Sequence, residues 1–215
     1  VRALRRRAPR ARGGNLSVPV FASADVTAGL APGEALEAVR AAFVEHARGD
    51  WQMPPKVYVS AAPDGDFRAM PASGGGHAVL KWVTSFPDNP ARGLPTVSGV
   101  VLLSDAHTGE LRAILDAAAV TALRTGAAAV LAAETLAAPG AGRAAVVGCG
   151  VNGRAAARTF LDRGRDVLLH DARPEQAEAA AARLGGGSGT VATGSLEEAL
   201  ACDLVVTVTP GRAPV

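Results

Sequence analysis

Ala144-Ala145-Val146-Val147-Gly148-Cys149-Gly150-Val151-Asn152-Gly153 is the stretch on which the fold turns. Its first four residues read as a buried strand, and glycines 148, 150 and 153 follow in the spacing G-x-G-x-x-G. That spacing alone is weak, but between an apolar strand and a helix-forming run it acquires a mechanism. Gly148 allows a tight turn, Gly150 lets a pyrophosphate approach the backbone, and Gly153 lets strand and helix pack closely, while free amides at the helix start hold phosphates. Roughly 20 residues on, the next apolar strand ends in Asp171, placed to accept hydrogen bonds from an adenosine ribose. Together these signals read as a dinucleotide site rather than a structural glycine turn. The charge of Asp171 favours NAD by repelling a 2′-phosphate, while Arg173 is near enough to receive one and keeps NADP open. Cys149, inside the loop, is either a thiol activated by the helix start or, more plainly, a small space-filling residue.

Downstream of the loop, strand and helix alternate: Asn152–Arg163 helix, Asp166–His170 strand, Pro174–Leu184 helix, Thr190–Ala192 weak strand, Leu196–Leu200 short helix and Leu204–Val208 strand. Upstream, Ala137-Ala138-Pro139-Gly140-Ala141-Gly142 reads as a domain boundary. Before it, Asp116 caps a long Ala-rich helix reaching about Leu136. Between Lys56 and Asp116 the pattern is that of an antiparallel sheet, with runs at Val57–Ser60, Phe67–Ala72, His77–Ser85, Val97–Leu103 and Leu111–Leu115 divided by turn residues. The segment from Phe86 to Pro95 is too rich in Pro and Asn to be an element and has the length of a binding loop. Earlier still, Pro32-Gly33-Glu34 opens a packing helix with apolar Leu36, Val39, Ala42 and Phe43, and Val18–Phe21 reads as a strand running into a capped turn at Ser23-Ala24-Asp25. The expected organisation is a disordered Arg-rich tail over 1–16, a first domain over 17–138 and a second over 139–215.

Hydrophobic residues make up 48% and charged residues 20% of the 215, the balance of a chain able to bury a core. The formal net charge is +2, yet Arg2, Arg5, Arg6, Arg7, Arg10 and Arg12 lie in an acid-free tail, so the body carries −4. That balance argues against nucleic-acid binding by the fold. No apolar run approaches the ~20 residues of a membrane span, so no membrane partner is expected. Cys149 and Cys202 stand far apart, with no zinc-ligand spacing, which points away from a metal and toward a reducing cytoplasm.

An enzyme handling an amino or keto acid needs fixed cations for its carboxylate. Lys81 interrupts the apolar strand Ala78–Val83, and Arg124 sits in the small, apolar run Val120–Gly126. Either alone reads as an exposed edge lysine or a helix-surface arginine. Both, just before a nucleotide domain, read as substrate ligands. His46, His77, His107 and His170 have no evident partners and read as turn, strand-end or helix-surface residues.

The succession Met53-Pro54-Pro55-Lys56, Gly76-His77-Ala78-Val79-Leu80-Lys81, Phe86-Pro87-Asp88-Asn89-Pro90, Gly93-Leu94-Pro95-Thr96, Thr121-Ala122-Leu123-Arg124-Thr125 and the glycine loop resembles the ornithine cyclodeaminase/mu-crystallin family from about Val18 onward. The resemblance implies an α/β protein with an antiparallel-sheet substrate and dimerisation domain, followed by an incomplete Rossmann domain for NAD or NADP, assembled as a homodimer. By position, Lys81 and Arg124 match substrate-carboxylate ligands, and Lys56 falls where the family commonly has an arginine. Lysine lacks that residue's bidentate fork. Thr96, Val151, Asn152, Asp171 and Thr209 match cofactor contacts, beside Gly148, Gly150 and Gly153.

In a cyclodeaminase of this kind, hydride leaves the amino-bearing carbon of ornithine for NAD, the distal amine closes on the imine, ammonia departs, and hydride returns to give proline. Relatives reduce cyclic ketimines or make alanine from pyruvate, with the same carboxylate clamp and cofactor. The family's catalytic aspartate follows the fourth strand of the nucleotide domain, so no catalytic residue is expected within this chain. With the last strands of the doubly wound sheet absent, Leu204–Val208 is expected to lack the neighbours those strands would give it and to leave apolar surface uncovered, and an inactive, nucleotide-binding relative of the mu-crystallin kind is the alternative reading.

Overall fold

The computed structural model describes residues 17–185 and 187–209. The basic tail over 1–16, expected to be disordered, lies outside the described residues, as do Gly186 and residues 210–215. Two compact units divide the chain, one comprising the segment up to Leu30 with Ala42–Val120, the other Ala31–Ala41 with the chain from Thr121.

The first unit is built on a seven-stranded sheet. Its strands are β1 (Val20–Phe21), β2 (Trp51–Gln52), β3 (Val57–Ala61), β4 (Gly65–Gly74), β5 (His77–Ser85), β6 (Val97–Asp105) and β7 (Leu111–Asp116). They lie in the order β1-β7-β6-β5-β4-β2, with β3 also pairing β4. All pairings are antiparallel except that of β1 with β7. The turns behave as their residues dictate. Gly75 and Gly76, both at positive φ, reverse the chain between β4 and β5. Asp105 accepts from the backbone of His107 and Thr108 and pairs with Arg112, closing the β6–β7 connection.

Register assigns the two faces of the sheet. Met70, Val83, Val101 and Leu115 share one face and pack with Ala117 and Val120 as a core. On the other face, cross-strand neighbours Val57, Ala69, Trp82 and Val100 form a row. Of these Val57, Trp82 and Val100 are exposed, as is nearby Val59. Alternation along a strand thus separates an inner surface from an apolar outer one.

Three local differences from the expected elements have physical reasons. Ser23-Ala24-Asp25 does not stop at a capped turn but opens helix α1 (Ser23–Gly29), because the Asp25 carboxylate takes the Ala22 N–H at 3.0 Å. In α2 (Pro32–Ala47), Ala35 and Leu36 are buried whereas Ala42, Phe43 and Val44 face outward, so the expected stripe packs over its first half only. The Phe86–Pro95 loop carries a 3-10 turn over Asn89–Arg92. Its base is closed by Phe86 N–H to Thr96 O at 2.8 Å and Asn89 Nδ2 to Pro95 O at 3.0 Å.

Helix α3 (Ala117–Leu136) begins where Asp116 accepts the Ala119 N–H at 2.7 Å, the cap read from sequence. Its twenty residues, at mean hydropathy 1.2, are long and apolar enough to cross a membrane by length and composition, which the sequence reading had excluded. Alanines raise the mean without making a charge-free run: Arg124 interrupts it, and Glu134 pairs with both Arg163 and Arg165.

The second unit contains a four-stranded parallel sheet of β8 (Ala144–Val147), β9 (Val167–His170), β10 (Val191–Thr193) and β11 (Leu204–Thr207), in the order β10-β9-β8-β11. Helices α4 (Val151–Asp162), α5 (Pro174–Leu184) and α6 (Leu196–Leu200) connect them. This is the strand order of the first part of a doubly wound sheet, whose switch point lies between β8 and β11. β8 is buried along its whole length. Ala145, Val147, Leu168 and Ala199 pack on one side, and Phe160 and Leu161 of α4 are also fully buried, each such large side chain contributing about 1.5–3 kcal/mol. β11 is an edge among the described residues, with Val205 and Val206 half-buried.

Candidate functional site

In the second unit the glycine loop leaves the C-terminal end of β8 at the switch point. Gly148 adopts φ 99°, and a Cβ there would stand 2.9 Å from Val208 O. A Cβ on Gly153 would collide with the Gly148 carbonyl. Gly150, the N-cap of α4, would meet nothing within 4 Å. Two positions are therefore closed by backbone and the one between them opens onto free space at a helix start, where a pyrophosphate needs room and amides. Val151 is exposed at 59% although apolar, and Asn152 is exposed beside it. The Thr209 methyl would lie 3.2 Å from a Gly148 Cβ, so it borders the same loop.

Asp171 stands at the end of β9, with Cys149 N–H donating to its Oδ2 at 2.7 Å and Arg173 N–H to its Oδ1 at 3.1 Å. Burial by itself would raise its pKa, but these two backbone donors, with the charges of Arg173 and His170, outweigh it and hold the carboxyl below the usual range. A carboxylate has about four acceptor positions, so two remain for a ribose. Next to it, a cavity of about 320 Å³ is lined by His170, Asp171, Pro174, Ala177, Thr193 and Gly194. His170 Nδ1 lies 3.0 Å from Gly194 O, which fixes that wall. The Cys149 thiol is pushed up to about 11, first by burial and then by the Asp171 charge, against the pull of Arg154. A buried neutral thiol fits the space-filling reading.

The residues expected from the sequence to hold a substrate fall partly in the first unit and partly in the second. In the first, β5 brings Lys81 opposite Met70 of β4, and continuing the β3–β4 register past Val57↔Ala69 puts Lys56 on Met70's other flank. The two lysines thus share one row and one sheet face. Lys56 Nζ also sits 5.2 Å from the Tyr58 ring centroid. Thr96 belongs to this unit as well, its carbonyl closing the base of the Asn-Pro loop. Arg124 lies on α3 in the second unit. It is exposed by surface area, yet enough protein surrounds it for desolvation to lower its guanidinium pKa. Arginine stays charged regardless.

Sequence reasoning passed over two residues. Arg68, opposite Tyr58 on β4, has its guanidinium carbon 5.4 Å from the same ring. Thr125 has a buried hydroxyl with no hydrogen-bond partner among the described residues. The repeated Thr of Thr-x-x-Arg-Thr was the available signal for the second; the first depended on cross-strand register. Among the described residues no cluster of His, Cys, Asp and Glu could hold a metal.

Residues 19–215 match the sequence profile of the Ornithine cyclodeaminase/mu-crystallin family. An alanine dehydrogenase of Archaeoglobus fulgidus is 42% identical over 185 residues, covering 85% of this chain and 57% of that protein. A solved archaeal alanine dehydrogenase dimer with bound NAD is 37% identical at a TM-score of 0.83, covering 92% of this chain and 62% of that one. The Δ1-pyrroline-2-carboxylate reductase of Thermococcus litoralis, solved with NADH and L-proline, is 26% identical at a TM-score of 0.81, covering 92% and 64%. The chain therefore spans less than two thirds of the length of these relatives.

Proposed function

We propose a function from one premise: this chain belongs to the ornithine cyclodeaminase/mu-crystallin family. It binds NAD through Gly148, Gly150, Val151, Asn152, Gly153, Asp171 and Thr209, with Thr96 as a further contact, and serves chemistry at the α-carbon of a small amino or imino acid. The observation that carries this is the loop geometry, two glycines walled by backbone around one that opens onto a helix start, with Asp171 tethered at its rim. When bound, the nicotinamide supplies a hydride acceptor or donor. Lys56, Lys81 and Arg124 hold the substrate carboxylate. Residues 17–138 carry substrate binding and dimerisation, and 139–215 carry the dinucleotide. The homodimer forms on the apolar outer face of the sheet around Val57, Trp82 and Val100, whose exposure in a single chain is otherwise unfavourable.

The reading is supported by relatives named as a dehydrogenase and a reductase of such acids. Closure of ornithine to proline with ammonia release uses the same clamp and cofactor, so ornithine is assayed beside pyruvate with ammonia and Δ1-pyrroline-2-carboxylate. Calorimetric titration of the purified chain with NADH and NADPH is the first test. Micromolar binding of NADH supports the site; tighter NADPH binding overturns the preference for NAD; no binding of either by folded protein overturns the reading. Binding without turnover of any of these acids identifies a nucleotide-binding protein of the mu-crystallin kind.

A further inference from the structure

We propose that Arg154 is a positioning residue for the dinucleotide: it turns the amides of Gly150 and Val151 outward to receive the pyrophosphate. This rests on the reading of the glycine loop as a nucleotide site. The hydrogen bonds of the loop carry the argument. On one side β9 and its end take two successive donors, Gly148 N–H going to His170 O at 2.8 Å and Cys149 N–H to Asp171 Oδ2 at 2.7 Å. On the other, residue 154 holds two successive acceptors. Its backbone N–H donates to Gly150 O at 3.0 Å, the first bond of α4, and its Nη1 donates to Cys149 O at 2.8 Å.

A trans peptide carries its C=O and N–H on opposite sides. Fixing the oxygens of Cys149 and Gly150 toward residue 154 therefore sends the N–H groups of Gly150 and Val151 the other way. Nothing lies within 4 Å of where a Gly150 Cβ would stand, and Val151 is exposed, so these amides have room for a ligand. The bond to Gly150 O belongs to any helix start. The bond to Cys149 O does not, and it depends on the Arg154 side chain.

An arginine that merely steadies its own helix does not account for this placement. The N-terminal end of a helix carries partial positive charge, and a cation there is unfavourable. Helices α1, α2, α5 and α6 have Asp25, Glu34, Glu175 and Glu197 in their first turns, and Asp116 caps α3. By contrast α4 has no acid in its first turn, and the Arg154 guanidinium reaches back past that turn to the loop. Its charge is close enough to pull the Cys149 thiol down against burial. Asp171 also meets the loop, but its oxygens go to the Cys149 and Arg173 amides and not to Arg154. As a helix start this arrangement is unfavourable; it becomes favourable when an anion comes to the amides.

The test is titration of the whole chain with NADH, ADP-ribose and adenosine, with NMR relaxation of the backbone amides in the unliganded protein beside it. Arg154→Met is expected to lose at least about tenfold in affinity for NADH and ADP-ribose, which carry the pyrophosphate, and to keep its affinity for adenosine, which lacks it. The order parameters of Gly150 and Val151 are expected to fall from about 0.85 in the wild type toward about 0.6 in the variant. A merely structural role does not divide the three ligands in this way. Arg158→Met, one turn further along α4, where the guanidinium meets Arg183 O at 3.3 Å, is the control and stays within about twofold of the wild type for every ligand. Thermal melts check the fold, and Arg154→Gln serves if the methionine variant unfolds. Wild-type NADH affinity in a folded Arg154→Met or Arg154→Gln overturns this inference alone, as does an equal loss for all three ligands or a loss of NADH binding with the order of the loop unchanged. Failure of the wild-type chain to bind NADH or ADP-ribose overturns it together with the nucleotide reading.

Discussion

The Cys149 backbone N–H lies 2.7 Å from Asp171 Oδ2, so the carboxylate proposed to meet the cofactor holds the glycine loop to the neighbouring strand. Asp171→Ala removes both functions and weakens NADH binding by about tenfold or more, from the ~1.5–3 kcal/mol of a hydrogen bond to a charged group. Titration calorimetry measures it. The pH dependence has a definite sign. The folded carboxyl titrates below its ordinary value of 3.8, so its contribution is complete above that value and is lost as pH falls through the folded pKa. The share of NADH affinity due to Asp171 is therefore constant from neutrality to about pH 5 and disappears only in stronger acid.

Cys149, buried and titrating near 11, is almost wholly protonated at pH 8. Iodoacetamide at that pH modifies Cys202, which is partly exposed, well before Cys149. Peptide mass spectrometry over a time course gives the order. Because the folded pKa is raised from 9.0 to about 11, stability is intact below 9.0 and falls as pH rises toward 11. Cys149→Ala removes that alkaline loss.

Gly148 combines φ 99° with a carbonyl wall at Val208. Gly148→Ala is strained by both, costing about 1–3 kcal/mol. Thermal unfolding shows a lowered midpoint and calorimetry a loss of NADH binding, while Gly150→Ala, with open space around it, binds NADH less well without the same fall in midpoint.

Trp82 is exposed beside Val57 and Val100 and stacks on Phe67 at 5.7 Å between centroids. Trp82→Asp places a charge in the centre of the proposed dimer face and weakens self-association by at least about tenfold. Sedimentation equilibrium of both proteins decides it; an unchanged dimer moves the interface elsewhere.

Periodicity was enough for most of the architecture. His77–Ser85, Ala144–Val147, Pro174–Leu184 and Leu196–Leu200 fold over the residues their patterns delimit, because each is bounded by Gly, Pro, Ser or a change of period. Shorter elements escaped. Trp51–Gln52 pairs with Gly74 and Ser73 across the sheet, a partnership no local window contains. The loop roles of Gly148 and Gly153 were legible, since G-x-G-x-x-G encodes contacts within a few residues. Arg68 was not, because its neighbours Tyr58 and Lys56 reach it only once β3 and β4 are in register. The exposure of Phe43 was equally hidden: helical spacing identifies a stripe but not where its cover ends.

The wall of the Gly148 turn is the carbonyl of Val208, whose own N–H donates to Val147 O at 2.8 Å. That contact has a meaning for the chain as it is synthesised. β8 emerges as an apolar strand with both flanks open; β9 fills one, and the other waits for β11. Until residue 208 has emerged the turn has no far side, and β8 keeps one flank unpaired over that whole interval.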